Sequence, residues 1–290
     1  DSTRGVHSFL VFDYHLETDL PRVEAIAPSF DYVWGADPLT VKHWRKGNPE
    51  IVVAQYMQWN LAGPNQGRNL TWLKAHHPEW ILYTCDRKTV QMHDDKFPLI
   101  DVSQPAAVAW QLELMAGEGS QLMQAGYNAI SIDNFQIGLE THSNDSACGH
   151  FDTKGEWVQQ YTGHQWDSAW KRDMLGWLEA FCAGLQAIPA QFRPLLILNT
   201  DLSWCASGGC HHDDPTVLFI GNHSDGALNE CFLCDPTGHT RLPELQPAWL
   251  WQDNLKWAEN LQQDGKAYYP IVESLNVTAV PQQSAKAEFD

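Results

Sequence analysis

The sequence predicts an α/β protein, a (β/α)8 barrel of the TIM type, in a single domain over residues 1–290. Three observations predict it. Short apolar runs alternate with amphipathic stretches, the pattern of a parallel sheet buried on both faces. Carboxylates, amides and aromatic residues gather at the C-terminal ends of those runs, where such a barrel carries its function. No Gly-x-Gly-x-x-Gly follows any run, which disfavours an open dinucleotide-binding sheet.

The elements follow in order. His7–Phe12 is the first strand, Tyr32–Trp34 a short second, and Ile51–Met57 a third rich in β-branched residues. Trp80–Tyr83 and Leu99–Val102 read as shorter additions. Ser103 caps a helix predicted to run to Ala125, with Pro105 in its first turn and Gly126 as its stop. Ala129–Asp133 is the fourth main strand. The helix predicted over 165–187 carries one stripe through Trp166, Trp170, Met174, Trp177, Leu178, Phe181 and Leu185. Leu195–Asn199 is the fifth strand, Val217–Gly221 and Ala227–Glu230 lie near the sixth, and Ala267–Val272 is the seventh. A helix over 247–263 turns Leu250, Leu255, Ala258 and Leu261 inward. An eighth strand is missing. The end of the sequence, "SAKAEFD", reads as the start of a helix, so the expectation is a C-terminally truncated barrel or one completed by another chain.

Composition narrows the function. Hydrophobic residues make up 43 % and charged residues 19 %, which is globular. The net charge of -18 argues against nucleic acid and anionic membrane surfaces. No apolar run reaches the roughly 20 residues of a membrane span. Four N-x-S/T sequons, at Asn69, Asn144, Asn222 and Asn276, exceed the roughly one expected by chance and point to a secreted glycoprotein. Several of the seven cysteines are then expected in disulfides, with at least one left over. Cys205 and Cys210 are spaced to close a small loop. Cys231 and Cys234 form a C-x-x-C without the second pair a zinc site needs. Fourteen tryptophans are many, and flat rings suit pyranose faces.

The strand ends supply the candidate site. They present Asp13, Trp34, Gln55 with Tyr56 and nearby Trp59, Asp133 with Asn134, Asn199 with nearby Trp204, and Glu230. Amides and carboxylates hold hydroxyl groups, and Trp34, Tyr56, Trp59 and Trp204 would be sugar platforms. Asp133 and Glu230 form the sharpest pair, because glycoside hydrolysis places two carboxylates across the scissile bond. His211-His212-Asp213-Asp214 reads as a solvated loop, since adjacent residues rarely converge on one ion. His93-Asp94-Asp95 reads as an exposed turn, and His76-His77 as surface. No G-x-S-x-G motif marks a serine hydrolase. Neither a metal nor a cofactor is expected. The polar stretch from Gln136 to Gln165 could wall one side of a cleft.

Longer segments carry a resemblance. "AGYNAISIDNF" resembles the G-[YF]-D-G-[IV]-x-[IVL]-D-N segment of glycoside-hydrolase-like barrels, the hypothetical glycosyl hydrolase groups related to the polygalactosaminidase type. "PEWILYTCDRK", "FPLIDVSQPAAVAWQLE" and "SDGALNECF" resemble further segments of these groups, in the same order. Asn128-Ala129 replaces the usual Asp-Gly. The resemblance implies the barrel fold and an acidic pair at Asp133 and Glu230. The expected function is a secreted hydrolase of polysaccharide or glycan, with Asp133 as nucleophile or base and Glu230 as acid. The alternative is a non-catalytic glycan-binding or structural glycoprotein on the same barrel, open to assembly with other extracellular chains.

Overall fold

The computed structural model describes residues 8–13, 15–59, 70–93, 97–135, 137–138, 147–164, 166–202, 209–229 and 248–270. Its strands are β1 (Phe9–Phe12), β2 (Tyr32–Gly35), β3 (Val52–Gln58), β4 (Tyr83–Thr84), β5 (Met92–His93), β6 (Phe97–Pro98), β7 (Ala129–Asp133), β8 (Ala147–Phe151), β9 (Trp157–Gln159), β10 (Leu195–Asn199), β11 (Gly226–Asn229) and β12 (Ala267–Pro270). Its helices are α1 (Leu20–Ile26), α2 (Val41–Gly47), α3 (Leu70–His76), α4 (Pro105–Ala116), α5 (Gln121–Ala125), α6 (Ser168–Gln186), α7 (Pro215–Asn222) and α8 (Ala248–Gln263).

Seven strands pair in parallel in the order β1-β2-β3-β7-β10-β11-β12. They form a nearly closed barrel of the TIM type with one unsealed seam, as the sequence predicts. The seam lies between β12 and β1, which share no backbone pairing among the described residues. Side chains cross it from inside. Tyr269 of β12 stacks on Tyr32 of β2 with ring centroids 4.4 Å apart, and meets Phe9 of β1 edge-on at 5.5 Å.

Strand alternation sorts the residues into two layers. Tyr32, Trp34, Ala54, Ala129, Ile197 and Leu228 fill the interior. Within it, the Tyr32 and Ser131 hydroxyls share a hydrogen bond of 2.6 Å. Val33, Val53, Met57, Ile130, Ile132, Leu196, Leu198 and Ala227 face the helices. α6 covers this outer layer with Trp170, Met174, Trp177, Leu178, Phe181 and Leu185, all buried. Its N-cap is Asp167, which accepts from the amides of Ala169 and Trp170.

Several elements differ from expectation. Val217–Gly221 belongs to α7, not to a strand, because a short apolar run fits a buried helix turn equally well. The helix predicted over 103–125 is two helices, α4 and α5, with Ser120 capping the second through the Met123 amide at 3.3 Å. Ser103 binds Asp101 instead of capping α4. Trp166 precedes α6 and Leu255 lies on the outer face of α8, each 37 % exposed, so neither belongs to the core stripe. Trp80 sits in a turn before β4, and Ile100 makes a single bridge to Ile81. No helix among the described residues is long and apolar enough to cross a membrane.

Candidate active site

Asp133 is the last residue of β7, in phase with Ala129 and Ser131, and so turns toward the barrel mouth. It is half-buried. Three side chains fix it. The Tyr56 hydroxyl donates to Oδ2 at 2.5 Å, the Asn134 amide to Oδ2 at 3.0 Å, and the Asn199 amide to Oδ1 at 2.6 Å. β3, β7 and the neighbouring β10 each contribute to one carboxylate.

The local sequence explains the arrangement. Asn134 has φ 52, in the left-handed region that asparagine tolerates better than most residues. That kink lets its side chain fold back on Asp133. The chain then returns to the core. The Phe135 amide donates to the Asn199 carbonyl at 2.9 Å, and the Phe135 ring packs on Trp177 at 5.8 Å. Tyr56 is braced by Phe12, edge-on at 5.2 Å. Gly35 makes room for that brace, since a Cβ there would lie 2.5 Å from the Phe12 ring.

The remaining sequence candidates fall in different places. Asp13 is buried and turned into the loop before α2. It accepts from the Asp37 amide at 2.9 Å, the Thr40 hydroxyl at 2.5 Å and the Trp44 indole at 2.9 Å. At 3 % exposure, with its donors all internal, Asp13 is a structural anchor and not a sugar ligand. Trp34 is buried in the barrel interior at 2 % exposure, and Trp59 is buried against Trp170 at 5.6 Å. Neither presents a free face. Gln55 points to the helix layer, where its amide donates to Gln121 at 2.9 Å. Glu230 and Trp204 lie outside the described residues, as do Asn69, Asn144 and Asn276. Asn222 is exposed in the last turn of α7.

A separate three-stranded sheet has the order β4-β8-β9. Its hairpin β8–β9 lies in the connection between β7 and α6, which in a barrel opens on the functional face. A disulfide, Cys85–Cys148, ties it to β4, and Cys210 is also disulfide-bonded. The hairpin is latched to Asp101, which is fully buried. His150 Nδ1 lies 3.0 Å from Asp101 Oδ2, and the Gln160 amide donates to Asp101 Oδ1 at 3.1 Å. Burial pushes the Asp101 carboxyl up, but hydrogen bonds from His150, Ser103 and Gln104 outweigh it and hold it below the usual range. The Asp101 hydrogen bond raises the His150 imidazole, against the opposing effect of burial. Tyr161 completes the latch by donating to Asp173 of α6 at 3.1 Å.

Sequence reasoning missed the use of the histidine pair. His211 Nδ1 binds Asp253 Oδ2 at 2.7 Å and His212 Nδ1 binds Asp253 Oδ1, so this segment is fastened to α8. Burial pushes Asp253 up, but the His212 and His211 hydrogen bonds prevail and hold it at about 2. Asp214 caps α7 through the Thr216 amide at 2.7 Å. No group of three metal-ligating side chains occurs among the described residues.

No protein-family model matches the chain, and no curated protein matches its sequence. Among solved structures it is similar to Aspergillus fumigatus Ega3 in complex with galactosamine, at 12 % identity and a TM-score of 0.43, covering 97 % of this chain and 83 % of that one. It is also similar to the GH18 chitinase from Cycas revoluta in complex with (GlcNAc)3, at 10 % identity and a TM-score of 0.44, covering 90 % and 67 %. A third is YKL-39 crystallised with chitooligosaccharides, at 7 % identity and a TM-score of 0.43, covering 91 % and 65 %.

Proposed function

We propose that the protein is a secreted glycoside hydrolase in which Asp133 is the nucleophile or base and Glu230 the acid. The observation that carries this reading is the convergence of Tyr56, Asn134 and Asn199 on one carboxylate at the end of a barrel strand. Asp13 is also held by three donors but is 3 % exposed, whereas Asp133 keeps its orienting donors and stays partly exposed at the strand end, where a ligand can reach it.

Glu230 follows Asn229, the last residue of β11, and stands two positions after the interior residue Leu228. β7 and β11 are separated by β10 alone. Neighbouring strands lie about 4.8 Å apart, so ends two strands apart are roughly 10 Å apart at the backbone. The reading requires a separation between the two carboxyl groups within the roughly 5–9.5 Å used by glycosidases. Secretion is supported by the four sequons and by the disulfide Cys85–Cys148, which suits an oxidising compartment.

The test is hydrolysis by Asp133→Asn and Glu230→Gln proteins on an oligosaccharide the parent cleaves. Each variant is expected to lose at least about a thousandfold in rate while melting within a few degrees of the parent. Full activity in both would exclude this pair.

A further inference from the structure

Resting on the reading that the mouth takes a glycan, we propose that Trp166 is the stacking platform of a sugar subsite beside Asp133. In a barrel, the helix after a strand begins at the face where that strand ends. α6 is that helix for β7, and Trp166 lies two residues before its first residue, Ser168. Asp133 and Trp166 therefore share the functional face.

The indole of Trp166 lies over Gly138, which follows Asp133 in the same connection. A Cβ at position 138 would come within 2.7 Å of the indole Cζ3, so glycine alone allows this approach. Backbone supports the ring there, while 37 % of the residue remains exposed. The turn that carries it is fixed. Asp167 Oδ2 accepts from the Thr162 amide at 2.7 Å and the Thr162 hydroxyl at 2.5 Å. Asp167 Oδ1 accepts from the amides of Ala169 at 2.7 Å and Trp170 at 3.0 Å. An exposed, flat, apolar surface on a rigid turn loses little conformational entropy when a ligand lies on it. The apolar C–H face of a pyranose is the chemistry that fits.

Three other partly exposed indoles already hold ring partners, while Trp251, on α8, is 39 % exposed. Trp72 and Trp110 stack on each other at 5.6 Å, and His76 stacks on Trp72 at 4.7 Å. Trp249 packs on His211 at 5.3 Å, on α8.

The test uses Asp133→Asn protein, titrated calorimetrically with oligomers of chitin, cellulose and galactosaminan. Adding Trp166→Ala is expected to weaken binding roughly tenfold or more, while Trp166→Phe retains most of it. Gly138→Ala, which displaces the indole, is expected to weaken binding as Trp166→Ala does, with melting temperatures near the parent's. Undiminished affinity after Trp166→Ala, for an oligomer the Asp133→Asn protein binds, overturns the platform and leaves the hydrolase reading standing. If no oligomer binds the Asp133→Asn protein, the glycan reading falls and the platform falls with it.

Discussion

Asp133 ends a strand whose other residues, Ala129 to Ile132, are fully buried. A carboxyl group there is tolerated because it is half-exposed and receives three hydrogen bonds. Tyr56 was legible as a residue at the mouth, but its role was not. The sequence suggests a ring for sugars, whereas its hydroxyl is committed to Asp133. Hydrogen bonds to a charged group are worth about 1.5–3 kcal/mol. Tyr56→Phe and Asn199→Ala are therefore expected to lower kcat roughly ten- to hundredfold with KM little changed, measured by steady-state hydrolysis. A platform role for Tyr56 would instead leave Tyr56→Phe near parental activity. Trp34 and Trp59 illustrate the limit of residue type. An indole at a strand end suits both a ligand and a core, and only the packing of Tyr32 and Trp170 around them decides.

The elements were most legible where both faces are buried. β3, β7 and β10 read as continuous apolar runs because the barrel interior and the helix layer each claim alternate residues. α7 failed for the same reason: Val217–Gly221 is apolar throughout, and periodicity cannot separate a buried helix turn from a strand. The hairpin β8–β9 was invisible because it depends on distant partners, Cys85 and Asp101. Its latch responds to pH. His150 is raised in the folded protein, so its contribution is fully present below about pH 6.5 and is lost as pH rises through its higher folded value. Asp101 is lowered, so its contribution is present above about pH 3.9 and is lost on further acidification. Hydrogen-exchange protection of β8 and β9, corrected for intrinsic rates, is expected to fall between mildly acidic and alkaline pH. His150→Gln should flatten that profile; an unchanged profile would remove His150 from the latch.

At the scale of the molecule, seven parallel strands bring Asp133, Tyr56 and Asn199 to one end of the barrel. A barrel left open by one strand was legible too, and among the described residues it corresponds to a seam between β12 and β1 that Tyr269, Tyr32 and Phe9 bridge from inside. The side chains that fix Asp133 were harder to read, because Tyr56 and Asn199 lie 77 and 66 residues from it in sequence. Secretion carries its own expectation. Expressed through a eukaryotic secretory pathway, the protein should lose mass on enzymatic removal of N-glycans, and Asn222→Gln should remove one glycan. An unglycosylated secreted product would contradict that reading. The central claim is that Asp133 and Glu230 face each other across a bound sugar. Its most direct measurement is a crystal structure of Asp133→Asn protein with an oligosaccharide in the mouth. The expected result is a glycosidic bond lying between residues 133 and 230, with their carboxyl or amide groups roughly 5–9.5 Å apart. A much wider separation, or a Glu230 turned away from the sugar, would contradict the account.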